Sequence, residues 1–296
     1  FMFYSRYSAE QKRIFQNITN DELNGYILIN LNNSLNSIGF SKSFTKFVVN
    51  NFSSLDFKEF YNNFSDELKK VYDIGFFQKI VPEYFHKEVV PYIPSSDKLL
   101  DVGCGTGILI HSLSKYSKFK SLVGIDIHRY PEWRQFKNAK SKFLILKETR
   151  FDNFLKKYQP DCVVLTWTLH HMDFLEQKRY LKKIWSNIEI GTKIIILEDS
   201  YSNKLSPKEE KIIYNEFMRW KAGERKMIMS VYDWVANRIL ARRSQVHVPF
   251  AYRTLEEWER LCQEVGFKIV RKVFIGFPKK RDINTPQSLL VVEKNI

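Results

Sequence analysis

The sequence predicts an α/β fold in which a mostly parallel sheet is covered by helices on both faces and preceded by a helical region. Three observations predict it. From residue 97 onward short apolar strands alternate with amphipathic helical segments, the rhythm of a parallel sheet buried on both sides. A glycine-rich turn joins the first of these strands to a helix, and an acidic residue closes the second strand. Such a turn lets backbone approach a ligand at the carboxyl ends of the strands.

Residues 1–95 are rich in Phe, Tyr, Asn, Ser and Lys and show no alternating strand. Phe40, Phe44 and Phe47 recur at helical spacing, as do Phe57, Phe60/Tyr61 and Phe64, which predicts short amphipathic helices. Ser65-Asp66-Glu67 has the composition of a helix start, and Pro91 with Pro94 closes the region. An aromatic stripe of this kind is more often packing than a ligand box. The region is therefore expected to be a helical N-terminal cap, followed by one α/β domain over residues 96–296.

Within that domain Lys98–Val102 is the first strand, Leu122–Asp126 the second, Phe143–Leu146 the third, Asp161–Thr166 the fourth and Lys193–Leu197 the fifth, introduced by a Gly191-Thr192 turn. A helix after the fourth strand runs from about Asp173 to Asn187, with Leu175, Tyr180, Leu181, Ile184 and Trp185 on its apolar face. Residues 200–250 form a basic, mainly helical insertion after strand five. Ser206-Pro207-Lys208-Glu209 predicts its first helix start. Thr254-Leu255-Glu256-Glu257 opens a further helix by a capping box, Gly266 ends it, and strands follow at Lys268–Val270 and Ser288–Val292.

The chain of 296 residues is 44% hydrophobic and 27% charged, as in ordinary soluble globular proteins. No stretch approaches the roughly 18 uncharged apolar residues of a membrane span. The opening Phe1-Met2-Phe3-Tyr4-Ser5-Arg6 is too short and too polar downstream for a secretion signal, so a cytoplasmic location is expected. Cys104, Cys162 and Cys262 are odd in number and far apart, which fits reduced, unpaired thiols rather than a disulfide framework. No His or Cys cluster has metal-ligand spacing. The formal net charge of +14 suits nucleic acid, an anionic surface or an acidic substrate, and equally a lysine-rich solvated surface.

Asp101-Val102-Gly103-Cys104-Gly105-Thr106-Gly107 is the informative segment. A strand precedes it, a helix from about Ile108 to Lys115 follows, and Asp126 lies 25 residues beyond Asp101, where a carboxylate can accept hydrogen bonds from both ribose hydroxyls. The spacing is not the Gly-x-Gly-x-x-Gly of a pyrophosphate site, and no GxxxxGK[ST] phosphate loop is present. An acid ahead of the glycines suits a ligand with a cationic amino-acid end. Read without a ligand, the glycines make a tight turn, Asp126 caps a helix, and Cys104 is a small filler.

Over roughly residues 95–200 and 250–294 the sequence resembles the class I S-adenosylmethionine (SAM)-dependent methyltransferases, in particular their small-molecule branch. The Asp101–Gly107 run is similar to the motif whose loop holds the methionine end of SAM, which implies cofactor contacts at Asp101, Gly103, Cys104, Gly105 and Gly107. Asp126 matches the ribose-binding acid, with Ile127 beside it, and Glu148 and Thr149 fall near the adenine position, where an Asp is more usual. Thr166-Trp167-Thr168-Leu169-His170-His171-Met172 resembles the loop after strand four in that branch, and implies a cofactor contact at Thr166. Tyr252–Trp258 and Val265-Gly266-Phe267 look like its C-terminal unit. The resemblance implies a Rossmann-like seven-stranded sheet with an antiparallel final strand, and SAM as cofactor.

Methyl transfer from a sulfonium needs no acid for the leaving group, so such an enzyme chiefly orients the acceptor and excludes water. A hydroxyl or carbon acceptor also needs a base, for which His170, His171 and His247 are candidates, with Glu198 and Asp199 as carboxylate options. Arg219, Arg238 and Arg242 with Tyr232 are candidate substrate-binding residues of the insertion, because arginine forks grip carboxylate or phosphate and aromatic neighbours hold an apolar body. A small, anionic, partly apolar acceptor is the expectation. RNA or another macromolecule as acceptor, and a SAM-binding subunit without catalysis, stay open as alternatives. No motif bears on oligomeric state.

Overall fold

The computed structural model describes residues 10, 12, 14, 18, 20–51, 55–116, 119–280 and 284–295. The opening segment Phe1–Arg6 lies outside them. The chain divides into two compact units, one of Phe1–Ile80, Glu209–Phe250 and Phe277–Pro286, the other of Val81–Lys208, Ala251–Gly276 and Gln287–Ile296. Residues 81–95, read from the sequence with the helical region, group with the sheet.

The second unit is built on seven strands: β1 (Ser96–Val102), β2 (Phe119–Asp126), β3 (Ser141–Ile145), β4 (Cys162–Thr166), β5 (Lys193–Asp199), β6 (Phe267–Gly276) and β7 (Gln287–Lys294). Their order is β3-β2-β1-β4-β5-β7-β6. The first five pair in parallel, and β7 runs antiparallel to both β5 and β6. The sheet is the Rossmann-like one expected. Leu99, Leu100, Val163, Val164 and Ile194–Leu197 are all buried, because central parallel strands are covered on both faces and must be apolar at successive positions. The chain winds outward in both directions from β1 and β4, and this switch point is where a ligand site forms. Asp101 of β1 stands opposite Gly124 of β2 and Val164 of β4.

Two helices of this unit start where their capping boxes place them. Asp173 caps Phe174–Asn187, with Glu176 bonding back to it, and Thr254 with Glu257 does the same for Leu255–Val265. Gly266 ends the latter helix at φ 112°. Ser206-Pro207-Lys208-Glu209 does not start a helix. The Lys208 N–H donates to Phe274 O of β6 (3.3 Å), and the left-handed Glu210 (φ 52°) delays the helix to Lys211–Met218. Backbone pairing to a strand has displaced the local cap.

The first unit is helical: Asp21–Ser37, Lys42–Asn51, Phe57–Glu67, a π-helical stretch Leu68–Ile80, Lys211–Met218, Ala222–Trp234 and Val235–Leu240. The Phe stripes serve packing. Phe44 and Phe60 are buried, and the Phe44 ring meets those of Phe60 and Phe64 at 5.6 and 5.3 Å. Ser65-Asp66-Glu67 lies inside a helix, not at its start. The start is at Asp56, whose Oδ1 accepts from the N–H groups of Lys58 and Glu59 at 2.8 and 3.1 Å. Glu67 instead accepts from the backbone N–H (2.6 Å) and hydroxyl (3.0 Å) of Ser41.

The insertion's candidate residues lie in this unit. The Arg238 side chain is fully buried. Its guanidinium donates to both oxygens of Glu10 (2.7 and 2.9 Å) and to the carbonyls of Arg243 (2.5 Å) and Val246 (2.9 Å). Tyr232 is buried with its hydroxyl on Ile27 O (3.4 Å), and burial raises its phenol well above the ordinary value. Arg242 pairs with Asp73, while Arg219 is exposed. Arg238 is thus a cross-link of the helical unit, since sequence spacing cannot distinguish a fork aimed at a ligand from one aimed at a distant glutamate. Arg238→Ala strands Glu10 and two carbonyls, and should lower unfolding stability by about 3–5 kcal/mol, measured by urea denaturation. Arg242→Ala, at a partly exposed pair, should cost about 1 kcal/mol or less.

Candidate active site

β1 delivers Asp101 and Val102 to a loop that turns through three left-handed glycines, Gly103 (φ 71°), Gly105 (φ 50°) and Gly107 (φ 83°), before the helix Ile108–Leu113. The N–H groups of Gly103 and Cys104 both donate to Ile125 O (2.9 and 3.0 Å), so the loop is moored to β2. Two of the glycines are also demanded by space. A Cβ on Gly103 would lie 2.3 Å from Thr168 Cγ2, and one on Gly107 would lie 2.3 Å from Phe143 Cε1. At Gly105 nothing stands within 4 Å of that position, which leaves its surface open to a ligand.

Asp126, at the end of β2, faces this loop. Its Oδ2 accepts from the Gly105 N–H (3.0 Å) and its Oδ1 from the His128 N–H (2.9 Å). Behind the loop Trp133 donates its indole N–H to Gly105 O (2.8 Å) and stacks on Phe143 at 5.5 Å. Cys104, Tyr130 and Trp133 form a small apolar cluster there. Burial, with the charges of Asp101 and Asp126, pushes the Cys104 thiol up, away from the thiolate form that a nucleophile needs.

Asp101 is electrostatically unusual. It is 1% exposed, and among the described residues neither carboxylate oxygen has a hydrogen-bond partner. Desolvation, with Asp126 as a like charge nearby, pushes its carboxyl up to about 8. A buried carboxylate without a donor is costly, and a cation placed against it would remove that cost.

The loop after β4 is fastened by the end of β5. Glu198 Oε1 accepts from the N–H groups of Thr168 (3.0 Å) and Leu169 (2.7 Å), Oε2 accepts from the His170 N–H (3.4 Å), and His170 Nδ1 lies 2.5 Å from Oε2. Trp167 sits at φ 51°, a left-handed conformation that costs a bulky residue about 1–3 kcal/mol. Its indole N–H donates to Gln287 Oε1 (2.5 Å), the Gln287 amide donates to Asp199, and its ring stacks on Tyr84 at 5.8 Å. Glu198 and Asp199, both expected as possible bases, thus hold the loop, and His170 is buried against Glu198.

The remaining predicted residues are spread more widely. His171 is half-buried, its ring 4.2 Å from that of His170, whereas His247 is an exposed residue of the helical unit. Ile127, just past Asp126, is 64% exposed. Glu148 is exposed, and its bond to Lys183 (2.8 Å), with Arg179 nearby, holds its carboxyl below the usual range. Thr149 is exposed and Thr166 half-buried at the end of β4. Sequence reasoning misses Thr168, Trp133 and Phe143, which brace the glycine loop. Thr168 lies within the Thr166–Met172 run, but nothing local marks Trp133 or Phe143, whose contacts are made across strands.

Residues 76–272 match the family described as "Methyltransferase domain". The chain is similar to the carboxy-S-adenosyl-L-methionine synthase of a Nitratiruptor species, 25% identical over 223 residues that cover 71% of this chain and 87% of that protein. The protein of the same name from Campylobacter fetus subsp. fetus is 22% identical over 182 residues, 60% of this chain and 72% of that one. Among solved structures, a SAM-dependent methyltransferase from Anabaena variabilis aligns with a TM-score of 0.48 and 11% identity over 74% of this chain and 85% of that chain. The close approach at Gly107 gives a direct check on the loop. Gly107→Ala combines left-handed strain with overlap on Phe143 and should cost about 2–4 kcal/mol, read as a shift in the urea midpoint.

Proposed function

Because the chain belongs to the methyltransferase-domain family and is a class I SAM-dependent methyltransferase, we propose that it methylates a small acceptor, anionic and partly apolar. SAM is its cofactor. The observation that carries the cofactor placement is Asp101, a buried carboxylate with no donor among the described residues on either oxygen, beside an open glycine loop. The α-ammonium of the methionine end is the cation that fits it. Asp126 takes the ribose hydroxyls, with Ile127, Glu148 and Thr149 on the adenine side and Gly103, Cys104, Gly105, Gly107 and Thr166 forming the remaining wall.

When bound, SAM supplies an electrophilic methyl group on a sulfonium. The protein's own work is positional. The glycine loop admits backbone close to the ligand, Asp101 and Asp126 fix its two polar ends, and the loop after β4 presents Trp167 and His171 beyond the strand ends, where an acceptor must lie. The small-acceptor reading is supported by the Leu169-His170-His171 run, which resembles that of the small-molecule branch. The anionic character is supported by the net charge of +14 and by the exposed Arg219. Arg238 is engaged within the helical unit and takes no part in this reading.

Calorimetric titration of SAM into wild type and Asp126→Ala tests the cofactor site: micromolar binding weakened at least tenfold by the substitution is expected. Tight RNA binding that falls steeply with salt would replace the small acceptor by a macromolecular one. The raised Asp101 carboxyl adds a pH signature. Below about pH 8 the free protein keeps Asp101 protonated, and pairing with an ammonium expels that proton. Affinity for SAM should therefore rise from pH 6 to pH 8 with net proton release to buffer. Asp101→Asn should bind more weakly and lose the proton release.

A further inference from the structure

Each glycine of the cofactor loop is braced from outside by a side chain of another element. Trp133 holds Gly105 O, Phe143 occupies the space beside Gly107, and Thr168 occupies the space beside Gly103. Thr168 differs from the other two because a buried charge fixes it. Its N–H bonds Glu198 Oε1 at 3.0 Å, the next N–H bonds the same oxygen at 2.7 Å, and its hydroxyl donates to Val102 O at 3.1 Å, one residue before Gly103. Thr168 and Glu198 are both buried, so water does not compensate for a lost bond.

We propose that Glu198 is a positioning residue of the cofactor site: through Thr168 it fixes Gly103, and so couples the loop after β4 to the loop that receives SAM. The inference rests on the SAM-dependent reading above. Glu198 reaches Thr168, Leu169 and His170, and its effect on the glycine loop passes through the Thr168 side chain. A glutamine at this position keeps one oxygen for the Thr168 and Leu169 N–H groups but turns an NH2 toward the His170 backbone N–H, donor against donor. The turn then shifts, and Thr168 shifts with it. The coupling is reciprocal: a ligand that moves the loop after β4 changes SAM affinity, and SAM changes affinity for that ligand by the same factor.

The test is calorimetric titration of SAM into the full chain for wild type, Glu198→Gln, Thr168→Ala, Thr168→Ser and the Glu198→Gln/Thr168→Ala double variant, with unfolding measured alongside. Glu198→Gln and Thr168→Ala should each weaken SAM about tenfold, and the double variant should be no weaker than the worse single, because the two act in series. Thr168→Ser keeps the hydroxyl bond to Val102 O and should recover most of the loss seen with alanine. Unchanged SAM affinity in a folded Glu198→Gln protein, or losses that multiply in the double variant, would overturn the proposal. If Glu198→Gln does not fold, the Thr168 pair decides alone, and wild-type affinity in Thr168→Ala overturns it. Failure of the wild type to bind SAM strikes instead at the cofactor reading and removes the inference with it.

Discussion

A loop that leaves a sheet and has no ladder of its own must find other partners for its backbone, and between β4 and the helix Phe174–Asn187 that partner is the carboxylate of Glu198. Three consecutive N–H groups and one imidazole converge on its two oxygens. A charge buried to this depth is tolerable only when it is saturated with donors, and the turn Thr168–His170 supplies them. The arrangement places Thr168 over Gly103 and sets the direction of the chain through Trp167. Gln177 completes the fastening, its amide reaching the carbonyls of Leu169 (3.2 Å), Met172 (3.1 Å) and Ala251 (2.8 Å). The ligand-facing end of the sheet is therefore held by polar contacts that are nearly all internal.

Asp101 makes the contrast. It too is a buried carboxylate at a strand end, yet no donor among the described residues reaches it. Glu198 is part of the scaffold because its hydrogen-bonding capacity is consumed; the capacity of Asp101 is not consumed, and the proposed cofactor site makes use of it. The difference is invisible in residue type, since both are acids at the end of a strand. Only the census of donors around each separates them. Asp126 is intermediate, using one oxygen on the Gly105 N–H and the other on His128, which shapes the loop while keeping a half-buried carboxylate beside it.

The sheet was legible because its signals are local and redundant. Apolar runs bounded by turns marked the strands, the reciprocal Thr254/Glu257 pair marked a helix start that the structure keeps, and the apolar face after strand four marked the helix Phe174–Asn187. Local signals failed where a distant partner overrode them. Ser206–Glu209 has good capping chemistry, but pairing of Lys208 with β6 prevails, and Ser65–Glu67 is absorbed into a helix begun by Asp56. At the site, the glycines and Asp126 could be read because their spacing is fixed by a strand–turn–helix unit. The braces Thr168, Trp133 and Phe143 could not, because each acts on a glycine at least 28 positions away in sequence. Arg238 was opaque for the same reason, its carboxylate partner being Glu10.

The strand order carries a consequence for synthesis on the ribosome. β7 lies between β5 and β6, and among the described strands β6 pairs with β7 alone. Until residues 287–294 have emerged, β5 offers a bare hydrogen-bonding edge lined by Ile194, Ile195 and Ile196, and β6 has nowhere to add. Such an edge is a template for wrong pairing. The nascent chain must therefore carry an open half-sheet from the completion of β5 until β7 is made, and the last of the seven strands is the one that closes it.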